Sequence, residues 1–451
     1  MTSRRKAIVA SAAVLLCSLV VRPPCLAAQG NGPAPSAPAE AGPAAPGTES
    51  RPAGGERWDL DKVVEIALSR HPRVNQADAE TLAAGARKGQ AQSSYYPAID
   101  LATGYSYFQG YSSSVGRSFS TTSLSAQGKL SQIITDFGRT SAAVGRADAL
   151  LSSTRESGNS VREDVAVDAK VAYFNVLRAK RILEVSRETV RQRESLLRQA
   201  QAYYEAGIRA RIDVARAEAN LFQARAELTS AENDLRVARI TLLNRMGVDG
   251  PRDFELVDTL AAESLPGSLE EWIKDAEENR PDLRSLVERE RAAEMALRGA
   301  RAGYNPILTG NGAYGYSSNE FPLEQTYNVS VQLSVPLFTG FLSREQAAEA
   351  AAQLASARLA VTDFRRLVRL QVEQAALSVR AAAERSEARR KERDASAENL
   401  RLATGRYEVG AGDIIEMIDA QVQMTRSDTS MIEALYDYSV SIASLLRAIG
   451  R

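Results

Sequence analysis

Tyr204-Glu205-Ala206-Gly207 is followed, counting from its glycine, by Asp213 six residues on and Ala217 ten residues on; Tyr407-Glu408-Val409-Gly410 is followed at the same steps by Glu416 and Ala420. An offset of 203 residues carries Gly207 onto Gly410, and it also carries Leu130 onto Leu333, Leu242-Leu243 onto Leu445-Leu446 and Gly247 onto Gly450. The chain is therefore two tandem copies of one unit. Each phrase interrupts a long helical pattern, and glycine tolerates the backbone angles that end a helix, so each reads as a turn between two helices. Two equal turns make two helical hairpins pointing the same way.

A length of 451 residues suggests about three ordinary domains, but a repeat of this period favours one duplicated domain. Its first repeat covers 58–250, and a linker with the second repeat covers 251–451. Lys plus Arg and Asp plus Glu each total 56, so no global field recruits nucleic acid or an acidic membrane face. Arg4-Arg5-Lys6, the apolar run Ala7 to Val21 and the small pair Ala27-Ala28 read as a secretory signal peptide over 1–28. No later stretch reaches the roughly 18 uninterrupted apolar residues of a spanning helix, so any membrane insertion is by strands. The only cysteines, Cys17 and Cys25, lie in the signal, which leaves the mature chain without disulfides or Cys-based metal sites. Arg22-Pro23-Pro24 also lacks the small residue that lipidation at Cys25 would want. Residues 29–57 are mostly Pro, Ala and Gly, which cannot bury a core and predict a disordered leader.

Within each repeat the periodicity changes in the same order. A short amphipathic helix from Trp58 to Arg70 breaks at His71-Pro72, and a second runs from Pro72 to about Ser94, ending at Tyr95-Tyr96-Pro97. Leu269 to Asn279 and Pro281 to Tyr304 do the same in the second repeat, ending at Asn305-Pro306. The period then becomes two. Ile99, Leu101, Thr103, Tyr105 and Tyr107 share one face, as do Leu308, Gly310, Gly312, Tyr314 and Tyr316; the return strands are Leu124 to Ile134 and Tyr327 to Leu337. Loops are expected over 110–120 and 317–325, with the six-residue length difference between repeats placed in them. Strands of about ten residues with one apolar and one small polar face suit a transmembrane β-barrel. Four strands cannot close one, since the smallest barrels need about eight and an open edge in hydrocarbon strands backbone polar groups. The chain must pool strands with other copies, a dimer supplying eight and a trimer twelve.

After each strand pair a helix runs from about Arg139 to Tyr204, or Leu342 to Tyr407, roughly 100 Å long. Val165, Ala169, Ala172, Val176, Ala179 and Leu183 repeat at coiled-coil steps, matched by Val368, Val372, Ala375, Val379 and Ala382. The run from Arg385 to Arg393 reads as a solvated helix face. Return helices cover Arg211 to Met246 and Asp413 to Ile449. Each return helix plus the helix before the strands matches the long helix in length, so two shorter helices stack end to end beside one long one.

Catalysis finds no support in the residues. His71, the sole histidine, precedes a proline at a helix boundary, and no phosphate-cradling glycine pattern occurs. A competing non-enzyme reading is a soluble periplasmic coiled-coil adaptor or scaffold, which would not need the alternation from Tyr327 to Leu337.

The signal, the duplicated helix-strand-strand-helix unit, the Tyr-Glu-x-Gly turns with their following acid and alanine, and Asn305-Pro306 before a strand together resemble the TolC-like outer membrane efflux proteins, or outer membrane factors. The resemblance implies a mainly α fold with a transmembrane β-barrel: a homotrimer whose 12-stranded barrel in the outer membrane continues into a long α-helical coiled-coil barrel in the periplasm. It implies an exit duct of a tripartite efflux or type I secretion system, with a periplasmic adaptor protein, an inner-membrane transporter and outer membrane lipid as partners and no cofactor. By position it makes Tyr407 and Asp213 a lock at the tip, with Gly412 where the family has an arginine. Glu416 and Asp419 would form stacked acidic rings, while Gly207, Ile208, Gly410 and Ala411 would meet the adaptor. The residues alone leave alternatives open: Tyr407 packing at a helix end, and Glu416 and Asp419 favoured in the first turn of a helix by its dipole.

Overall fold

The computed structural model describes residues 56–451 apart from 115, 250–253, 259–266 and 320–321. The expected signal peptide, and the leader up to residue 55, lie outside the described residues. In chain order the elements are β1 (Glu56–Trp58), α1 (Leu60–Arg70), α2 (Pro72–Gln92), β2 (Ala98–Ser112), β3 (Arg117–Thr135), α3 (Arg139–Glu205), α4 (Arg211–Arg245), β4 (Phe254–Leu256), α5 (Leu269–Asn279), α6 (Pro281–Arg301), β5 (Ile307–Ser318), β6 (Glu324–Ser334), α7 (Leu342–Glu408) and α8 (Ile414–Ile449). Short 3-10 turns, Ser93–Tyr95 and Ala302–Tyr304, end α2 and α6.

The long helices α3 and α7 have 67 residues each, about 100 Å at 1.5 Å per residue. Their seams are apolar where they meet neighbours: Val165, Ala169, Ala172, Val176 and Leu183 of α3 are buried, as are Val368 and Val372 of α7. Alanine in the α3 seam lets helices approach closely, and α3 packs against α2 and α6 above and against α4 and α8 below. Stacking of the shorter helices is built on two glycines. Gly247, at φ +65°, ends α4 so close to α2 that an added Cβ would lie 2.8 Å from His71 Cα; Gly450, at φ +78°, ends α8 with 3.0 Å between such a Cβ and Arg280 N. Both positions need glycine for the backbone angle and for the approach. Charge ties the second joint: Arg280 pairs with Asp282 at 2.6 Å, and Arg447 reaches Asp164 at 2.8 Å and Glu163 at 3.0 Å.

The first joint corrects two expectations. Trp58 does not begin a helix, and the leader does not extend to Arg57. Glu56–Trp58 pairs in parallel with Phe254–Leu256, and the Trp58 and Phe254 rings stack 4.6 Å apart. Helix α1 starts two residues after Trp58, with the Asp59 carboxylate accepting from Lys62 N at 2.8 Å. The partner strand lies almost 200 residues away, beyond the range of local periodicity.

Strands β2, β3, β5 and β6 form one antiparallel sheet in that order. The first hairpin is longer than expected: Tyr111↔Ser118 and Ser112↔Arg117 are still paired, so most of the stretch read as loop is strand. The six additional residues of this repeat lengthen β2 and β3, not the turn. Thr121, Thr122 and Phe119 supply the β-branched and aromatic character that the serines around them mask. Conversely β6 stops at Ser334, short of Leu337, because Pro336 offers no N–H to a ladder. One face of the sheet exposes Leu101, Tyr105, Tyr107, Tyr327, Val329, Val331 and Leu333; the opposite face carries Ser123, Ser125, Gln127, Asn328 and Ser330. Tyr95, Tyr96 and Tyr304 lie at the helical end of this sheet and Tyr105, Tyr107, Tyr314 and Tyr316 toward the other. Among the described residues, β2 and β6 each have an unpaired edge, and no helix is long and apolar enough to cross a membrane.

Sheet and helices are joined by matching kinks. Phe137 and Gly138 take φ +51° and +112°, and Gly340 and Phe341 take +61° and +67°. Asp136 accepts from Thr140 N at 2.7 Å and so caps the start of α3. Arg139 donates to the carbonyls of Ala302 (3.0 Å) and Gly303 (2.7 Å), and Asn305 Nδ2 donates to Phe137 O at 2.9 Å. The two repeats are thereby bolted together where strand becomes helix.

Candidate functional site at the helical tip

The far end of the helices carries the two glycine turns. Gly207 follows the end of α3 at φ +70° and Gly410 follows α7 at +77°, and Ile208 N and Ala411 N return to Tyr203 O and Arg406 O, each at 2.9 Å. These bonds satisfy carbonyls that the helix ends leave free. Among the described residues, and apart from its chain neighbours, nothing lies within 4 Å of a Cβ built on either glycine. Gly207, Ile208, Gly410 and Ala411 are all exposed, beside exposed Val409, Ile212 and Ile415. The tip therefore presents a small apolar surface held by rigid turns.

Beneath it, Leu196, Ala200, Ala217, Tyr407, Ile414, Met417 and Ile418 form one buried cluster drawn from both hairpins. Tyr407 is 0% exposed, and its ring lies 5.9 Å from that of Tyr203. Asp213, in the first turn of α4, is also buried. The structure thus brings Tyr407 and Asp213 into one site, and among the described residues the buried Tyr407 hydroxyl has no hydrogen-bond partner. Burial pushes that hydroxyl's pKa up from its ordinary value, and the negative charge of Asp213 adds to the shift. A buried hydroxyl without a bond is a destabilising feature of about 1–3 kcal/mol.

Two arginines that sequence reading passed over occupy this site. Arg209, half-buried on the first turn, donates from Nη2 to the carbonyl of Gly412 at 2.9 Å, and its guanidinium lies 5.4 Å from the centroid of the Tyr407 ring. Gly412 is buried, and a Cβ there would sit 3.1 Å from the backbone carbon and Cβ of Arg406, which accounts for glycine at this position. The repeat offset would have flagged Arg209, because adding 203 lands on Gly412. Arg406 approaches Glu416 at 3.5 Å. Glu416 and Asp419 are both exposed and lie three residues apart on α8, so they share a face, and Glu416 already has a counter-charge. Higher up, the hairpins meet through a polar seam. Buried Arg193 donates to Gln421, and Thr189 and Thr425 hydroxyls lie 3.3 Å apart, beside a groove of about 360 Å³.

The sequence profile of the outer membrane efflux protein family matches residues 63–248 and 272–451. Protein CyaE of Bordetella pertussis is 27% identical over 369 residues, covering 80% of this chain and 77% of that one. Outer membrane protein TolC of Vibrio cholerae is 28% identical over 307 residues, 62% of this chain and 66% of that one. Among solved structures, a membrane protein from Pseudomonas aeruginosa superposes with a TM-score of 0.78 at 24% identity, over 87% of this chain and 93% of that one.

Proposed function

The chain belongs to the outer membrane efflux protein family, and on that premise we propose that it works as a homotrimeric exit duct of a tripartite efflux or type I secretion system. It is an outer-membrane channel protein. The observation that carries the oligomeric reading is the four-stranded amphipathic sheet with two bare edges, continuous with hairpins about 100 Å long. Bare edges in hydrocarbon cost several kcal/mol per unsatisfied group, and closure with other copies removes them. Three copies give twelve strands, within the range of bacterial barrels, and the family resemblance selects three over two. The same threefold arrangement joins three pairs of hairpins into a helical tube below the barrel.

At the tip, the exposed Gly207, Ile208, Gly410 and Ala411 form the surface on which a periplasmic adaptor docks, linking the duct to an inner-membrane transporter. Glu416 and Asp419 from three subunits line the narrow end as acidic rings that favour cations. Tyr407 belongs to the packed cluster at the tip, and buried Asp213 lies near enough for its charge to act on the Tyr407 hydroxyl. No catalysis is assigned: His71 serves as the N-cap of α2, its Nδ1 accepting from Arg73 N at 3.2 Å.

The test is the state of the purified protein. A detergent-solubilised particle of three chains that conducts in planar bilayers is expected. A stable water-soluble monomer recovered with the periplasm would instead support an adaptor or scaffold.

A further inference from the structure

Each chain brings two hairpin turns to the tip, and a contact that spans them resists their parting. Among the described residues, the bond from Arg209 Nη2 to Gly412 O is the only hydrogen bond joining the first turn to the second. The same guanidinium lies over the face of Tyr407, an arrangement in which a cation is attracted to the ring. One side chain thus grips the second turn twice, by its backbone and by its largest buried aromatic. Tyr407 contributes its ring to that grip and not its hydroxyl, which has no hydrogen-bond partner among the described residues.

We infer that Arg209 is the latch of the closed tip, holding the α3–α4 turn to the α7–α8 turn, and that the Tyr407 hydroxyl is not part of the latch. The contact suits a reversible device. Among the described residues Arg209 has no carboxylate in ion-pair contact, and it is only half-buried, so water reaches it and can replace the bond once the turns begin to move. Gly412 belongs to the same device. Its lack of a side chain leaves the carbonyl approachable, and a Cβ would press on Arg406 and Tyr407 N at 3.1 Å. A receding second turn would withdraw both the carbonyl and the ring from Arg209 together.

This inference rests on the duct reading. The experiment compares full-length wild type, Arg209→Ala and Tyr407→Phe, purified in detergent and inserted singly into planar bilayers, with thermal unfolding and subunit number measured in parallel. The expected result is a rise in open-state occupancy of at least about ten-fold for Arg209→Ala, the size that follows from losing one charge-assisted bond in each chain, with subunit number unchanged. Tyr407→Phe is expected to stay as closed as wild type. If Arg209→Ala does not assemble, Arg209→Lys keeps the cation and shortens its reach, and an intermediate leak is expected from it. Wild-type channels with Arg209→Ala equally closed, or Tyr407→Phe leaking as much as Arg209→Ala, would overturn the latch alone. Absence of any channel from wild type would overturn the duct and the latch with it.

Discussion

Placing an arginine on either side of one strand tests which face of the sheet meets lipid. Strand β6 has 11 residues, about 37 Å at roughly 3.4 Å per residue, and a tilt of about 40° leaves roughly 28 Å of height, close to the apolar band of about 25 Å in such barrels. Val329 is its sixth residue and 84% exposed in the protomer, opposite Gly312 on β5, so no neighbouring side chain shields it there. Val329→Arg puts a charge near the bilayer midplane at a cost of about 2–4 kcal/mol per protomer. Asn328 is one residue earlier and points to the opposite face, where water meets the substitution and Asn328→Arg is nearly neutral. The assay is the outer-membrane yield and urea midpoint of the two variants beside wild type. A large loss for Val329→Arg with wild-type behaviour for Asn328→Arg is expected. Equal tolerance of both, or greater damage from Asn328→Arg, would refute the assignment of faces, since a one-residue slip exchanges them.

Gly410→Trp meets open space but a left-handed backbone, which costs about 1–2 kcal/mol without glycine; the oligomer should persist while export is lost, and normal export would refute the docking surface. Because Arg406 counters Glu416, Asp419→Asn should reduce cation over anion permeability more than Glu416→Gln does, read from reversal potentials in a salt gradient; the reverse order would contradict it. At the second joint, burial pushes the Asp282 carboxyl up, but the hydrogen bonds and charge of Arg280, with Arg447, hold it below its ordinary value. Asp282→Asn leaves Arg280 buried without its carboxylate and should cost about 3 kcal/mol. With the folded value depressed, that stabilisation is complete above the ordinary carboxylate range near 4 and is lost as pH falls through the depressed value. Thermal melts should therefore show a constant gap from wild type above about pH 5 that narrows below about pH 4.

Patterns with short periods were readable without coordinates. Seam residues such as Val165 and Val372 repeat at helical spacing and are buried, and α3 and α7 end within a residue or so of the expected turns because Gly207 and Gly410 mark them. Edges of the sheet were harder. The serines around Phe119 looked like loop, and only pairing with β2 shows them as strand. Tyr407 and Asp213 were matched by position, but the lack of a partner for the Tyr407 hydroxyl among the described residues could not be read there, because a hydrogen bond needs an orientation that spacing does not specify.

Duplication, the two helical hairpins and the switch to period two were all determined by the amino-acid order, because each depends on neighbours within a few residues or on a repeat offset visible as text. Tertiary structure decided what joins distant segments. Trp58 against Phe254, Gly450 against Arg280 and Arg209 on Gly412 are contacts between residues roughly 170 to 200 positions apart, and no local propensity encodes them. The first and third arise only when two copies of the unit lie side by side, and the second only when one copy folds back on itself; in each the energy of the contact depends on distances and angles that the linear order leaves open.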